Sequence, residues 1–232
     1  MRPLFTLGPR LALCASLVRP GAALIDVGTD HAYLPIWLLL GGKVPRALGL
    51  DVNPGPLAAA RRNGEKYGVG ERLWLRLSDG LREAGPQEGS DIVMAGMGGE
   101  LILRLVGETP WLRDGAKRLV LQPMSSVPQL RLGLQELGFA VLEEQAVEDG
   151  GKIYSAFAAQ YQGQIPDPGP LYPYLGKLTP GAPWVDRYGE KVLRDLENQA
   201  RGAGHRGEEE RAAALEEVIL AIRREYLGEK GD

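Results

Sequence analysis

The chain has 232 residues, 44% hydrophobic and 25% charged, which suits one catalytic domain with a smaller appendage and a core that needs no metal or disulfide staples. A single cysteine, Cys14, excludes a disulfide framework and a cysteine zinc site, and points to a reducing cytoplasm. The formal charge of −3 does not demand a nucleic acid partner, and the longest apolar runs, 11–18 and 34–40, fall short of the roughly 20 residues of a membrane span.

Apolar, β-rich runs predict strands at 23–27, 47–51, 73–77, 92–95, 119–122, 140–147 and 152–159, the first five each followed by a helix. The last two face each other across Glu148-Asp149-Gly150-Gly151, a turn-rich link that fits only a hairpin. Alternating βα units that end in an antiparallel hairpin predict an α/β fold, the Rossmann-like sheet of class I methyltransferases. Residues 163–183, rich in proline, glycine and tyrosine, read as an irregular connection. Helices are expected over 184–200 and 208–227, joined by a link at 201–207. Apolar residues at helical spacing, Val185 to Leu196 and Ala212 to Tyr226, would pair them as an antiparallel coiled-coil hairpin. The expected division is a catalytic domain over 1–163 and a connector with the helical hairpin over 164–232. That arm either stabilises the domain or positions a substrate.

The segment Leu24-Ile25-Asp26-Val27-Gly28-Thr29-Asp30 carries the first chemical signal. Ligands of open α/β sheets sit beyond the carboxyl ends of the strands, and Gly28 lets backbone approach them. Dinucleotide sites use three glycines to lay a pyrophosphate on a helix N-terminus. Here Asp30 stands where a second glycine would be, and its carboxylate would repel a pyrophosphate. The zwitterionic methionine part and sulfonium of S-adenosylmethionine would tolerate it. Asp51 closes the second predicted strand, where a carboxylate can accept from both ribose hydroxyls. Asp79-Gly80 follows the third, where a carboxylate could accept from an adenine amino group. Either alone is also an ordinary turn, but carboxylates at three successive strand ends favour a cofactor site. Asp26, Gly28, Thr29, Asp51, Val52, Asn53, Asp79, Gly80, Ala95 and Gly96 form the expected cofactor-facing set. The fourth strand runs into Met94-Ala-Gly-Met-Gly-Gly99, whose small residues suit a flat base beside the methyl donor or a flexible turn into a helix. His31 has no clustered histidine or cysteine, so no metal is expected.

These residues resemble the bacterial tRNA (adenine(22)-N1)-methyltransferases. The matching stretches are Arg10-Leu11, 26–35, Asp51 with Gly55-Pro56-Leu57, Asp79-Gly80-Leu81, 95–99, Leu121-Gln122-Pro123-Met124 with Arg131, and Gly151-Lys152-Ile153-Tyr154. They cover about the first 160 residues, while the C-terminal hairpin is similar in pattern only. One departure is Gly133, where the family usually has a tryptophan. The resemblance implies methyl transfer from S-adenosylmethionine to N1 of a tRNA adenine in the D-arm region. Asp30 would then hold the adenine edge or amino group and offset the charge formed on the base. His31 and Tyr33 would orient the base, and Gly96, Met97, Gly98 and Gly99 would line it.

For tRNA, Arg10, Arg61, Arg62 and Lys152 are the expected phosphate contacts, supported by arginines of the first hairpin helix, although each also reads as solvated surface charge. Residues 1–90 carry 11 Lys/Arg against 8 Asp/Glu, and residues 164–232 carry 10 against 13, so an RNA partner is permitted on the first face. Rival readings are a methyltransferase acting on a small molecule or protein, and a non-catalytic S-adenosylmethionine- or RNA-binding module. An NAD oxidoreductase is disfavoured by the missing glycines. Neither a signal peptide nor a membrane partner is expected, and the sequence fixes no oligomeric state.

Overall fold

Successive residues of a strand point to opposite faces of its sheet, and here both faces are apolar. In the computed structural model, which describes residues 5–228, Ile25 and Val27 of β1 (Leu24–Val27) enter one core and Leu24 the other. The same alternation holds in β2 (Ala47–Asp51), β4 (Asp91–Gly98) and β5 (Arg118–Ser125). One face is covered by α1 (Pro9–Leu17), α2 (Tyr33–Leu40) and α3 (Pro54–Tyr67), through Cys14, Ile36, Leu38 and Ala60. The other is covered by α4 (Gly99–Gly107) and α5 (Val127–Glu136), through Ile102, Leu105, Leu130 and Leu134.

The seven strands, with β3 (Leu73–Leu77), β6 (Phe139–Asp149) and β7 (Lys152–Tyr161), lie in the order β3-β2-β1-β4-β5-β7-β6. Only β7 runs against the rest, pairing antiparallel with both β5 and β6. The chain crosses from the β3 edge back past β1 to β4, so the strand order reverses between β1 and β4. That switch point opens a crevice at the strands' carboxyl ends.

The expected Rossmann-like sheet with a terminal hairpin is therefore present, with three local differences. No helix follows β3: residues 78–90 form only turns, because three glycines and Pro86 interrupt any helical run. The first helix of the arm, α7 (Val185–His205), continues through most of the expected link and buries Ala200 and Ala203. Its partner α8 (Glu209–Tyr226) follows after a three-residue link, Arg206-Gly207-Glu208. The connection ahead of α7 also holds one short turn of helix, α6 (Tyr172–Leu175).

A third core joins Ala146 of β6 and Ile153 of β7 to Val185, Tyr188 and Leu196 of α7 and to Leu215, Ile219 and Ile222 of α8. Beneath it lies a buried polar junction. Arg131 of α5 and Glu144 of β6 pair with no side-chain exposure on either partner. Arg131 also donates to the carbonyl of Pro173 at 2.8 Å and to the hydroxyl of Tyr188 at 3.3 Å, while Glu144 accepts from the amide of Lys177 at 3.0 Å. Burial alone would pull the guanidinium's pKa down, but the adjacent carboxylate outweighs it and holds the charge. Gly133, the position of the family departure, is buried on α5, and Leu103 of α4 fills the space a larger side chain would need.

Removing one partner of a buried pair strands the other charge, so Arg131→Met should destabilise the protein by about 3–5 kcal/mol in urea unfolding. Arg131→Met combined with Glu144→Leu should recover most of that loss. A double variant no more stable than the single one would show that the pair's charges are not what the junction depends on.

Candidate functional site

The loop after β1 adopts a conformation that ordinary residues avoid. Gly28, Asp30 and Ala32 all have positive φ, at 70°, 50° and 57°. Two of these three carry a Cβ, so the loop stores strain of about 1–3 kcal/mol per such residue. Hydrogen bonds from its own amides hold it there. Gly28 and Thr29 donate to the carbonyl of Leu50 at 2.8 and 2.9 Å, and Ala32 donates to the carbonyl of Thr29 at 2.8 Å. Asp30 donates its amide to Oδ2 of Asp51 at 3.1 Å, while Oδ1 of Asp51 accepts from the amide of Asn53 at 2.9 Å. A glycine is needed at 49 because a Cβ there would lie 3.0 Å from the side chain of Thr29 and 2.9 Å from that of Leu75.

Asp26 lies beneath the loop, on the β1 face that carries Leu24. It is 5% exposed and accepts from the hydroxyl of Thr29 at 2.6 Å. Burial pushes its pKa up to about 7; the Thr29 hydrogen bond pulls the other way and the charge of Asp51 adds to the rise. The same face holds Cys14, whose thiol is pushed up to about 12, chiefly by burial and then by the charge of Asp26. Cys14 is therefore a packing residue without thiolate character.

Of the expected cofactor set, Asp26 pairs with Thr29, Gly28 and Thr29 share the Leu50 carbonyl, Asp51 accepts from the amides of Asp30 and Asn53, and exposed Val52 flanks them. Asp79 lies at the end of β3 but is half-exposed and paired with Arg82 at 3.0 Å and Arg104 at 3.7 Å. Gly80 packs directly under Leu105. The glycine-rich segment is strand rather than loop: β4 continues through Gly98, with irregular register around Met97 opposite Pro123 and Gly98 opposite Ser125. Ala95 is partly buried, Gly96 exposed, and the space beside Gly96 is open. Met97 reaches back to β1, its sulfur 3.7 Å from where a Cβ on Gly28 would be. Gly99 lies against the carbonyls of Ser125 and Ser126, too close for a side chain.

Asp30 and His31 stand at the mouth with side chains 66% and 47% exposed, the His31 Nε2 3.5 Å from the Asp30 carboxylate. Tyr33 packs near His31, with ring centroids 5.8 Å apart, and edge-on to Phe5 at 5.4 Å. Asn63 of α3 donates to the His31 carbonyl at 2.9 Å. The four expected phosphate contacts separate. Arg10 is engaged, with Nε 2.7 Å from Asp149 and Nη1 3.3 Å from Gln122. Arg61 and Arg62 are exposed on α3. Lys152 is exposed at the hairpin tip, in a cavity of about 490 Å³ that it shares with Arg187, Lys191 and Arg194 of α7. Among the described residues, no hydrogen bond ties Arg61, Arg62 or Lys152 to the loop, no group of three metal-ligating side chains occurs, and no helix is long and apolar enough to cross a membrane.

Residues 7–157 match a family model described as a methyltransferase domain. Over 154 residues the chain is 34% identical to the tRNA (adenine(22)-N(1))-methyltransferase of Bacillus subtilis, a match spanning 66% of this chain and 65% of that relative's length. A Streptococcus pneumoniae protein solved in complex with S-adenosyl-L-methionine is 33% identical, with a TM-score of 0.78 over 90% of this chain and 98% of that one. The B. subtilis m1A22 tRNA methyltransferase TrmK superposes with a TM-score of 0.70 at 26% identity, covering 95% and 97% of the two chains.

Because the raised pKa of Asp26 means that the folded state binds its proton more tightly, the folded protein holds more protons than the unfolded chain between the ordinary value of 3.8 and about 7. Its contribution to stability is thus fully present below that window and is lost as pH rises through it. Asp26→Asn removes the titration, so urea unfolding at about pH 5 and about pH 8 should show the variant gaining on the wild type at the higher pH. A stability difference independent of pH would contradict the assignment.

Proposed function

The chain belongs to the methyltransferase-domain family, and from that premise we propose that it transfers a methyl group from S-adenosylmethionine to N1 of an adenine in tRNA, position 22 of the D-arm region, in the cytoplasm. The observation that carries the cofactor assignment is the strained loop over Asp51. Its glycine is single, its second glycine position is an aspartate, and a buried carboxylate ends β2 beside it. This donor set fits a ribose and a zwitterion and does not fit a pyrophosphate. Asp51 would accept from the ribose hydroxyls through lone pairs its two amide donors leave free. Gly28 would border the ligand beside the Met97 sulfur, and the open space beside Gly96 would leave room for the base.

When bound, S-adenosylmethionine supplies an electrophilic methyl group on sulfur. Adenine N1 carries an in-plane lone pair, so no residue has to remove a proton before attack. The protein's work is to align the base and exclude water. The methylated base is cationic, and Asp30 at the mouth would offset that charge as it develops. His31 and Tyr33, beside it, would bracket the base, and the bulged end of β4 would line its other side. The cavity of Lys152, Arg187, Lys191 and Arg194, which also holds Glu190 paired with Arg194 at 4.0 Å, borders Met124 and Tyr154, and its surplus of basic groups would offer phosphate contacts on the side of the arm. This favours a substrate-positioning role for residues 164–232, set against a catalytic unit over 1–163.

Two variants separate the roles. Asp30→Asn keeps a residue that tolerates the left-handed backbone and removes the charge. It should lower methyl transfer to tRNA by about a hundredfold while calorimetric affinity for S-adenosylmethionine stays within about twofold. Asp51→Ala should weaken that affinity by about tenfold or more. Wild-type turnover in the first, or unchanged affinity in the second, would remove that residue from its role.

A further inference from the structure

Gln122 is a buried side chain to which the methyl-transfer reading assigns no role. It lies on β5, 1% exposed, directly opposite Ala95 of β4. Its Oε1 accepts the amide of Gly96 at 3.1 Å, one residue past the last regular pair of β4 and β5 and immediately before the register shift to Met97. The same oxygen accepts from Nη1 of Arg10 at 3.3 Å, and Nε2 donates to the carbonyl of Pro123 at 3.0 Å. Arg10 is itself fixed from two further sides, by Asp149 at 2.7 Å and by the ring of Tyr154 at 5.1 Å.

A bulge leaves the amide of its extra residue without a ladder partner. Here that amide belongs to Gly96, whose φ of 73° turns it out of the strand, and the Gln122 carbonyl supplies the missing acceptor. We propose that Gln122, steadied by Arg10, is a positioning residue that locks the β4 bulge and so fixes the Ala95–Met97 backbone against which the acceptor base is aligned; the assignment rests on the methyl-transfer reading above. Arg10 then serves chiefly as a tether between α1, the end of β5 and the tip of the β6–β7 hairpin. Methyl transfer from sulfur to a ring nitrogen depends on near-linear alignment, and small displacements of the aligning backbone cost rate rather than affinity.

Gln122→Met keeps the volume and removes the acceptor; Gln122→Glu keeps the acceptor for both Gly96 and Arg10. Gln122→Met should lower kcat for tRNA methylation by about ten- to a hundredfold, leave the Kd for S-adenosylmethionine within about twofold and speed amide hydrogen exchange at Gly96. Gln122→Glu should restore the protection of Gly96 and most of the rate. A residue that merely fills space would give the opposite order, with the methionine variant active and the glutamate variant impaired. That order, or wild-type exchange at Gly96 in Gln122→Met, would overturn the proposal. Should the wild-type protein methylate no RNA, the methyl-transfer reading fails by itself, and the exchange at Gly96 still decides whether Gln122 holds the bulge.

Discussion

Asp51 accepts hydrogen bonds from the amides of Asp30 and Asn53, and through them it ties the loop after β1 to the start of α3. Most of the site's geometry depends on that buried carboxylate. It helps hold Asp30 in a left-handed conformation that would otherwise relax, and thereby turns the Asp30 side chain to the mouth. Asp26 supports the loop from below through Thr29, and Gly49 leaves the space that Thr29 occupies. The strain is offset by strand pairing on both sides of β1, which lies between β2 and β4.

A second constraint lies on the opposite side of the sheet's hairpin. The Arg131–Glu144 pair gathers α5, β6, the connection through Pro173 and Lys177, and α7 around one buried charge pair. Burying two charges is a poor route to stability, but it admits few alternative arrangements of the groups around it. The arm is thus held at one attitude to the sheet, with Lys191 of α7 donating to the carbonyl of Ile153 at 3.1 Å beside the basic cavity. A substrate that touches both the mouth and the arm would meet a preset distance between them.

The inner strands β1, β2, β4 and β5 were legible because they are buried on both faces for most of their length and therefore read as short apolar runs. The hairpin was legible from two apolar runs separated by the turn-rich link Glu148-Asp149-Gly150-Gly151. The helix expected after β3 fails because alternation of elements is a habit of such folds, while the glycines and proline of 78–90 are a local fact. The helical link at 201–205 misled in the other direction: two glycines suggested a break, and the packing of Ala200 and Ala203 overrode it. Asp26, Asp51 and the loop glycine stand out in the sequence because strand ends announce themselves there. Gln122 was visible only as part of a family-like stretch. Its partners Gly96 and Arg10 lie 26 and 112 residues away, and no local pattern encodes such contacts. The contact of Arg10 with Asp149, 139 residues distant, is invisible in the sequence for the same reason.

The central claim is the acceptor: a tRNA adenine rather than a protein or a small molecule. The most direct measurement is incubation of the protein with methyl-labelled S-adenosylmethionine and unmodified tRNA, followed by nucleoside analysis and mapping of the labelled position. Label recovered as 1-methyladenosine at position 22 is the predicted result. Label recovered in protein, in another nucleoside, or in no product at all would contradict it.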